Sequence, residues 1–387
     1  MNFRSRALAY VGAGAAGLFA TGAFAAPALA ADEADVSVKA ASSKISVGAV
    51  AKAFRIDLKN AGPGVATATT LTIDMSGLEP DQIGFDLEQF EGEEDVKVAK
   101  ASEDEIVLEL GDGAPGETLP FFLPLFLAEG AEAGPAGTLK VAITSAAPDP
   151  DTSNNAVSVP IEVTKSGVDL TALALDVYAL GEDEPKPVPP GETAPLFWAL
   201  INQGDVAGQG VRLGITLPEH VSFVDDYDGC TVSADRRVLS CEAPDAVLPP
   251  GEAFSTDEGL LVKVAKDAPG PATLTGGSVK GSAIGTTDLS AAARAATASE
   301  LPEGFTIAKV DELPVDIDPG DNDADFSVFV GEAGGTGGGG DLPVTGVQAG
   351  LIGGVGLAVL AGGGALLVMS RRRKIVLVTP GDETPTV

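Results

Sequence analysis

The chain has 387 residues, with 24 Lys and Arg against 56 Asp and Glu and a formal charge of −32. A surface this acidic repels phosphate backbones and anionic lipid, which argues against nucleic acid and peripheral membrane partners and leaves divalent cations and basic surfaces open. With two cysteines and one histidine, a four-cysteine zinc site is excluded, any Ser-His-Asp triad must use His220, and any metal site must be all-oxygen.

Residues 1–30 read as a signal peptide. Arg4 and Arg6 precede an apolar, Ala- and Gly-rich stretch through Phe24, and Ala28-Leu29-Ala30 has the small-x-small pattern that signal peptidase cuts. Export is the expectation, and with it an oxidising compartment. The single cysteine pair, Cys230 and Cys241, is therefore expected to form a disulfide across a hairpin whose tip lies near Ala234-Asp235-Arg236.

Between the ends the sequence repeats. Lys59-Asn60-Ala61-Gly62-Pro63-Gly64 is matched by Ile201-Asn202-Gln203-Gly204-Asp205. Pro115-Gly116-Glu117 is matched by Pro250-Gly251-Glu252, and Gly134-Pro135-Ala136-Gly137-Thr138-Leu139 by Gly270-Pro271-Ala272-Thr273-Leu274. Asp149-Pro150 before Val157-Ser158-Val159 is paired with Asp318-Pro319 before Phe326-Ser327-Val328. Markers recurring in one order predict two diverged β-sandwich domains, 31–165 and 166–331.

Strict alternation in Phe54-Arg55-Ile56-Asp57-Leu58-Lys59 predicts a half-buried strand with one wet face. Leu196 to Ile201 is its more apolar equivalent. Each run is followed by Asn-x-Gly, read as a turn because Asn and Gly accept a positive φ. Leu119 to Leu127, broken by Pro120 and Pro124, is too short to cross a membrane and reads as a buried strand. Short β-rich runs between Gly, Pro and Asp clusters predict an all-β fold.

His220, in Leu217-Pro218-Glu219-His220-Val221, reads as a structural residue in a loop entering a strand, since no nucleophile motif stands elsewhere. Asp316, Asp318, Asp321, Asp323 and Asp325 place five carboxylates within ten residues. Ca²⁺ takes six to eight such oxygens, which makes this loop a candidate calcium site, although its spacing is not that of an EF-hand and a solvated loop before the last strand is the competing reading. No other cofactor is called for.

A glycine-rich tether, 332–341, leads to Leu342-Pro343-Val344-Thr345-Gly346. Residues 347–370 then carry no charge, long enough as a helix to cross a bilayer, and Arg371-Arg372-Arg373-Lys374 opens a basic tail, 371–387, that stays cytoplasmic under the positive-inside rule. The order Leu-Pro-x-Thr-Gly, apolar span, basic cluster resembles the LPXTG sorting signal of Gram-positive, actinobacterium-like cell-wall proteins. That resemblance implies that a sortase cysteine attacks the Thr345 carbonyl, Gly346 leaves, and a peptidoglycan amino group takes the acyl group. Thirteen residues after the basic cluster make a longer tail than such signals usually carry.

The Asn-x-Gly turn, Leu217-Pro218 before Val221-Ser222-Phe223, the cysteine pair and Pro250-Gly251-Glu252 together resemble immunoglobulin-like repeat modules of bacterial surface proteins. The likeness covers most of 190–280, and it implies a fold and a location without catalytic residues. The expected function is a non-catalytic surface protein, structural or adhesive, with sortase, peptidoglycan and a surface ligand as partners and the membrane as a partner only before processing. The competing expectations are a glycan- or ligand-binding or hydrolytic surface domain, and a stable single-pass membrane protein.

Overall fold

The structure, a computed structural model, describes residues 33–49, 51–85, 97–179, 185–256, 259–287 and 316–332. The signal peptide, the sorting motif, the apolar span, the basic tail and the tether beyond residue 332 lie outside them. The described residues are all β with two short 3₁₀ turns, and among them no helix is long and apolar enough to cross a membrane.

In the first half, β1 (Val36–Ala40), β3 (Ala51–Asn60), β8 (Thr118–Leu127) and β5 (Ile83–Phe85) form a four-stranded sheet in that order. A six-stranded sheet runs β2 (Lys44–Ser46), β10 (Ala156–Thr164), β9 (Gly134–Thr144), β4 (Ala66–Leu78), β7 (Glu105–Gly113) and β6 (Lys97–Ala101). Alternate residues of facing strands share one core, with Phe54, Ile56, Leu58, Leu123 and Leu125 from one sheet and Leu71, Ile73, Leu108, Val141 and Ile161 from the other. Each such side chain contributes about 1.5–3 kcal/mol by leaving water.

The second half has three sheets. They run β11 (Leu170–Ala174), β13 (Trp198–Asn202), β18 (Ala253–Ser255); then β12 (Thr193–Leu196), β19 (Leu260–Val264), β15 (Val221–Phe223). The third runs β16 (Cys230–Val232), β17 (Val238–Leu248), β14 (Ala207–Thr216), β20 (Ala272–Thr287), β21 (Asp323–Val330). Trp198, Leu200, Leu213, Ile215, Phe223, Val262 and Phe326 belong to the core they enclose.

Leu119 to Leu127 is the buried strand β8, and its prolines sit where they cost little. Pro120 and Pro124 pair with Asp57 and Ala53 of β3, while among the described residues β5 covers the other edge from Leu125 to Leu127. A missing N–H on that other edge breaks no ladder bond among the described residues. Leu196 to Ile201, expected as one strand, is divided at Phe197. Thr193–Leu196 pairs with β19 and Trp198–Asn202 with β11, so the chain changes sheets there.

The Asn-x-Gly segments work differently from the expectation, because neither Asn nor Gly there has a positive φ. Asn202 instead uses its amide. Its Oδ1 accepts from Asp169 N and Gly204 N, and its Nδ2 donates to the carbonyls of Val206 and Leu248. Asn60 repeats this with Asp35 N, Gly62 N and the carbonyls of Gly64, Gly113 and Ala114. The glycines are required by close approach, since a Cβ on Gly204 would lie 2.2 Å from the Gly167 carbonyl oxygen.

The two repeat markers close on each other. Gly116 N donates to Asn60 O at 2.8 Å and Asn60 N to Glu117 O at 3.1 Å, and Gly251 and Glu252 do the same with Asn202 at 2.6 and 3.1 Å. Gly116 and Gly251 have φ of 77° and 74°, the third position of a turn that proline opens and an i to i+3 hydrogen bond shuts.

Candidate functional site

Both halves fall within one compact unit, and several fully buried polar groups, among them Lys52, Arg55, Asp169 and Asp321, lie where they meet. The floor of this junction is apolar. Phe122 of β8, Leu173 of β11 and Ala199 of β13 pack together, with Ala53, Leu175 and Ile201 against them. Around it, Gln203 Oε1 accepts from Ala53 N at 2.7 Å and its Nε2 donates to Ala53 O at 3.0 Å, tying a side chain of the second half to the backbone of β3. Thr273 Oγ1 donates to Pro115 O and Ser327 Oγ to Gly116 O at 2.7 and 2.8 Å.

Lys52 crosses the junction from β3. It shares the inward parity of Phe54, Ile56 and Leu58, and its Nζ lies 2.7 Å from Asp169 Oδ2 and 2.9 Å from Oδ2 of both Asp318 and Asp321. The side chains of Lys52, Asp169 and Asp321 are 0% exposed and that of Asp318 2%, so the group is enclosed by protein. Asp318 also accepts from the N–H groups of Ser43 and Lys44 and from Ser43 Oγ. Asp321 accepts from Ser42 Oγ at 2.7 Å and Thr171 Oγ1 at 3.1 Å. Asp169 has Lys52 as its partner for Oδ2 and no hydrogen bond to Oδ1.

Arg55, on the face of β3 expected to be wet, is also fully buried. The second half covers it. Its guanidinium donates to the carbonyls of Ala172, Asp321 and Asp323 and pairs with Asp57 of its own strand.

The charge states follow from burial and neighbours. Burial by itself would lower the Lys52 ammonium, but the attraction of Asp169, Asp321 and Asp318 overrides it and holds the proton more firmly than in water. Burial raises Asp169 well above the carboxylate range, against the pull of Lys52, and it raises Asp321 likewise. Asp318 goes down instead, because Lys52 and the Ser43 and Lys44 N–H groups outweigh its burial. Elsewhere in the junction, Asp176 accepts from Thr118 N at 2.9 Å and Ser327 N at 2.6 Å, one from each half. Burial pushes its carboxyl up to about 8 in spite of these two bonds.

The structure also gives the repeat a register. Asp149 accepts from Val36 N, Asp151 N and Asn155 Nδ2, and Asp316 accepts from Leu170 N, Asp318 N and Asn322 Nδ2. Asp149 therefore corresponds to Asp316, not to Asp318 as the Asp-Pro dipeptides suggested, and Asp151 to Asp318, Asn154 to Asp321. A two-residue slip preserves which side chains face the core, so the alternating pattern could not reveal it. In the first half Asn154 Nδ2 donates to Asp35 Oδ1 at 3.0 Å. In the second, aspartates stand at both corresponding places, and Lys52 comes between them.

The five acids expected to face one Ca²⁺ are divided. Asp318 and Asp321 converge with Asp169, and Lys52 Nζ stands at the point of convergence. Asp316 is turned to Leu170 N and Asn322, Asp323 offers its backbone carbonyl to Arg55, and the side chain of Asp325 is exposed.

Cys230 and Cys241 are directly opposite in β16 and β17 and are disulfide-bonded, with Cα atoms 4.1 Å apart. The hairpin tip is Ser233 to Arg236, closed by Arg236 N to Ser233 O at 2.8 Å. His220 is exposed in the turn before β15, and its carbonyl accepts from Ala265 N. The sequence reading missed Lys52, Arg55, Asp169 and Asp176. One available signal was a lysine on the parity of an inward apolar row.

No family model matches the chain, and no curated protein matches it. Among solved structures it is similar to Escherichia coli alpha-2-macroglobulin in its native conformation, at 12% identity and a TM-score of 0.24, over 77% of this chain and 17% of that one. It is similar to the C-terminal domain of the Streptococcus agalactiae AgI/II polypeptide BspA, at 8% identity and a TM-score of 0.19, over 77% of this chain and 100% of that one. For the Staphylococcus aureus collagen adhesin the values are 10% identity and 0.20, over 78% and 93%. At such scores nothing these proteins do is carried to this chain.

Proposed function

We propose that the chain is a non-catalytic surface protein, exported and joined covalently to peptidoglycan by a sortase at Thr345, whose immunoglobulin-like β body serves a structural or adhesive role. The observation that carries this reading is the order of Leu342-Pro343-Val344-Thr345-Gly346, an uncharged span over 347–370, and Arg371-Arg372-Arg373-Lys374. A span followed at once by bases holds the chain at the outer membrane face, and the glycines before Leu342 present the Thr345-Gly346 bond to a membrane-bound enzyme. The body suits an exposed position, with one disulfide, turns shut by hydrogen bonds and its most perturbed carboxyls enclosed in the junction.

Cell fractionation tests this. The protein should be released by wall-degrading enzymes and not by boiling in detergent, with Thr345 still amide-linked to a peptide stem. Thr345→Ala should leave export unchanged while the full chain accumulates in the membrane fraction. Extraction of the wild-type chain by detergent, tail included, would establish a single-pass membrane protein instead. Turnover of a glycan by the purified protein would overturn the non-catalytic part.

A further inference from the structure

We propose that the Lys52 cluster is a proton-held clasp between the two halves, closing firmly only while its carboxyls keep a proton beyond the one on Lys52, so that the junction loosens as pH rises. The argument begins with charge. Lys52 brings one positive charge to three carboxyls in a fully buried site, which would leave an excess of two negative charges if all three were ionised. Such an excess is not tolerated in a low-dielectric interior, and protons are retained instead.

The neighbours do not supply the missing positive charge. On β3, Arg55 directs its guanidinium to three carbonyls and Asp57. Lys44 touches Asp318 through its backbone N–H, and the loop before β21 and the first residue of that strand add only the further acids Asp316 and Asp323. The geometry divides the roles. Asp318, with two backbone N–H groups, a hydroxyl and Lys52, is held as the carboxylate. Asp169 Oδ1 and Asp321 Oδ1 have no hydrogen-bond partner, and the two acids bring carboxyl oxygens within 4.8 Å of each other, which leaves either of them free to carry a proton.

The first half is the internal control. Asn154 stands where Asp321 stands, and donates to Asp35 where Asp321 faces Asp169. A neutral amide there needs neither a lysine nor a proton. Replacing that amide by an acid makes the second half depend on Lys52 of the first and on pH at once.

The test is equilibrium unfolding of the protein from pH 5 to pH 8, wild type against Asp321→Asn, which installs the first half's residue. A retained proton makes the wild-type unfolding constant rise about tenfold more per pH unit than that of the variant. Equal slopes would overturn the proposal. Should the variant fail to fold, carboxyl ¹³C shifts of the unmodified protein decide: Asp169 or Asp321 keeps the shift of a protonated acid at pH 7, and ionisation of both overturns the clasp. Recovery of high-pH stability on adding millimolar Ca²⁺ would also overturn it, in favour of a cation site.

Discussion

Asn202 holds Asp169 in the second half as Asn60 holds Asp35 in the first, each accepting the aspartate's backbone N–H on Oδ1, at 3.3 and 3.2 Å. Asn202 is fully buried, so its amide is an internal staple for four backbone groups and not a turn former. Asn202→Asp should therefore be nearly as damaging as Asn202→Ala, because a carboxylate faces the Val206 and Leu248 carbonyls with nothing to donate. We expect a loss of about 3 kcal/mol for either change in urea unfolding. A tolerated Asn202→Asp would return the residue to a turn role.

The repeat, the strands and the cysteine pairing were legible because they depend on local rules: alternation for Phe54 to Leu58, and the Pro-Gly turn for Gly116 and Gly251. The junction was not. Whether Arg55 meets water depends on what packs over β3, and that is the second half, more than a hundred residues away along the chain. Likewise the acids at 316–325 read as one cluster by spacing, while the backbone aims them at different partners. Only a Lys at the parity of Phe54 hinted that the inward row ends in a charge.

Arg55 should not be replaceable by lysine. Its planar fork serves Ala172 O, Asp321 O and Asp323 O, all in the second half, together with Asp57. A single ammonium cannot reach these directions at once, and carbonyls would be left buried without donors. Arg55→Lys should cost about 2 kcal/mol or more. Calorimetry should show the halves unfolding in separate steps where the wild type unfolds in one. A single, unshifted transition would mean that the guanidinium adds nothing to the junction.

Asp176 gives the protein an unusual response to mild acid. Its folded carboxyl titrates near 8, above the ordinary value of 3.8, so between these values the folded state holds a proton that the unfolded state has lost. The associated stability is complete below about pH 4 and is lost as pH rises toward 8, at about 1.4 kcal/mol per pH unit. Resistance to urea should consequently be greater at pH 5 than at pH 8. Asp176→Asn, although destabilising through the Thr118 and Ser327 N–H groups, should reduce the slope by about 1.4 kcal/mol per pH unit and leave the share due to the Lys52 cluster. An unchanged slope in that variant would remove Asp176 as its source.

Breaking the disulfide should have a local effect. Cys230 and Cys241 close a short loop, and β16, three residues long at the edge of its sheet, pairs with β17 and, among the described residues, with no second strand. Reduction returns loop entropy to the unfolded chain, about 3 kcal/mol for a loop of this size. It also leaves an edge strand with few ladder bonds to hold it. Both cysteines pack against the second core, so their partial burial keeps β17 in place while β16 frays. The Cys230→Ser, Cys241→Ser double variant should thus lose stability in the second half and become open to proteolysis between Tyr227 and Val232. The Lys52 cluster is built from β3, the residue before β11 and the 318–321 turn, so the carboxyl shifts of Asp169 and Asp321 should not move in that variant. Movement of those shifts would show that the hairpin and the junction are coupled through the second core.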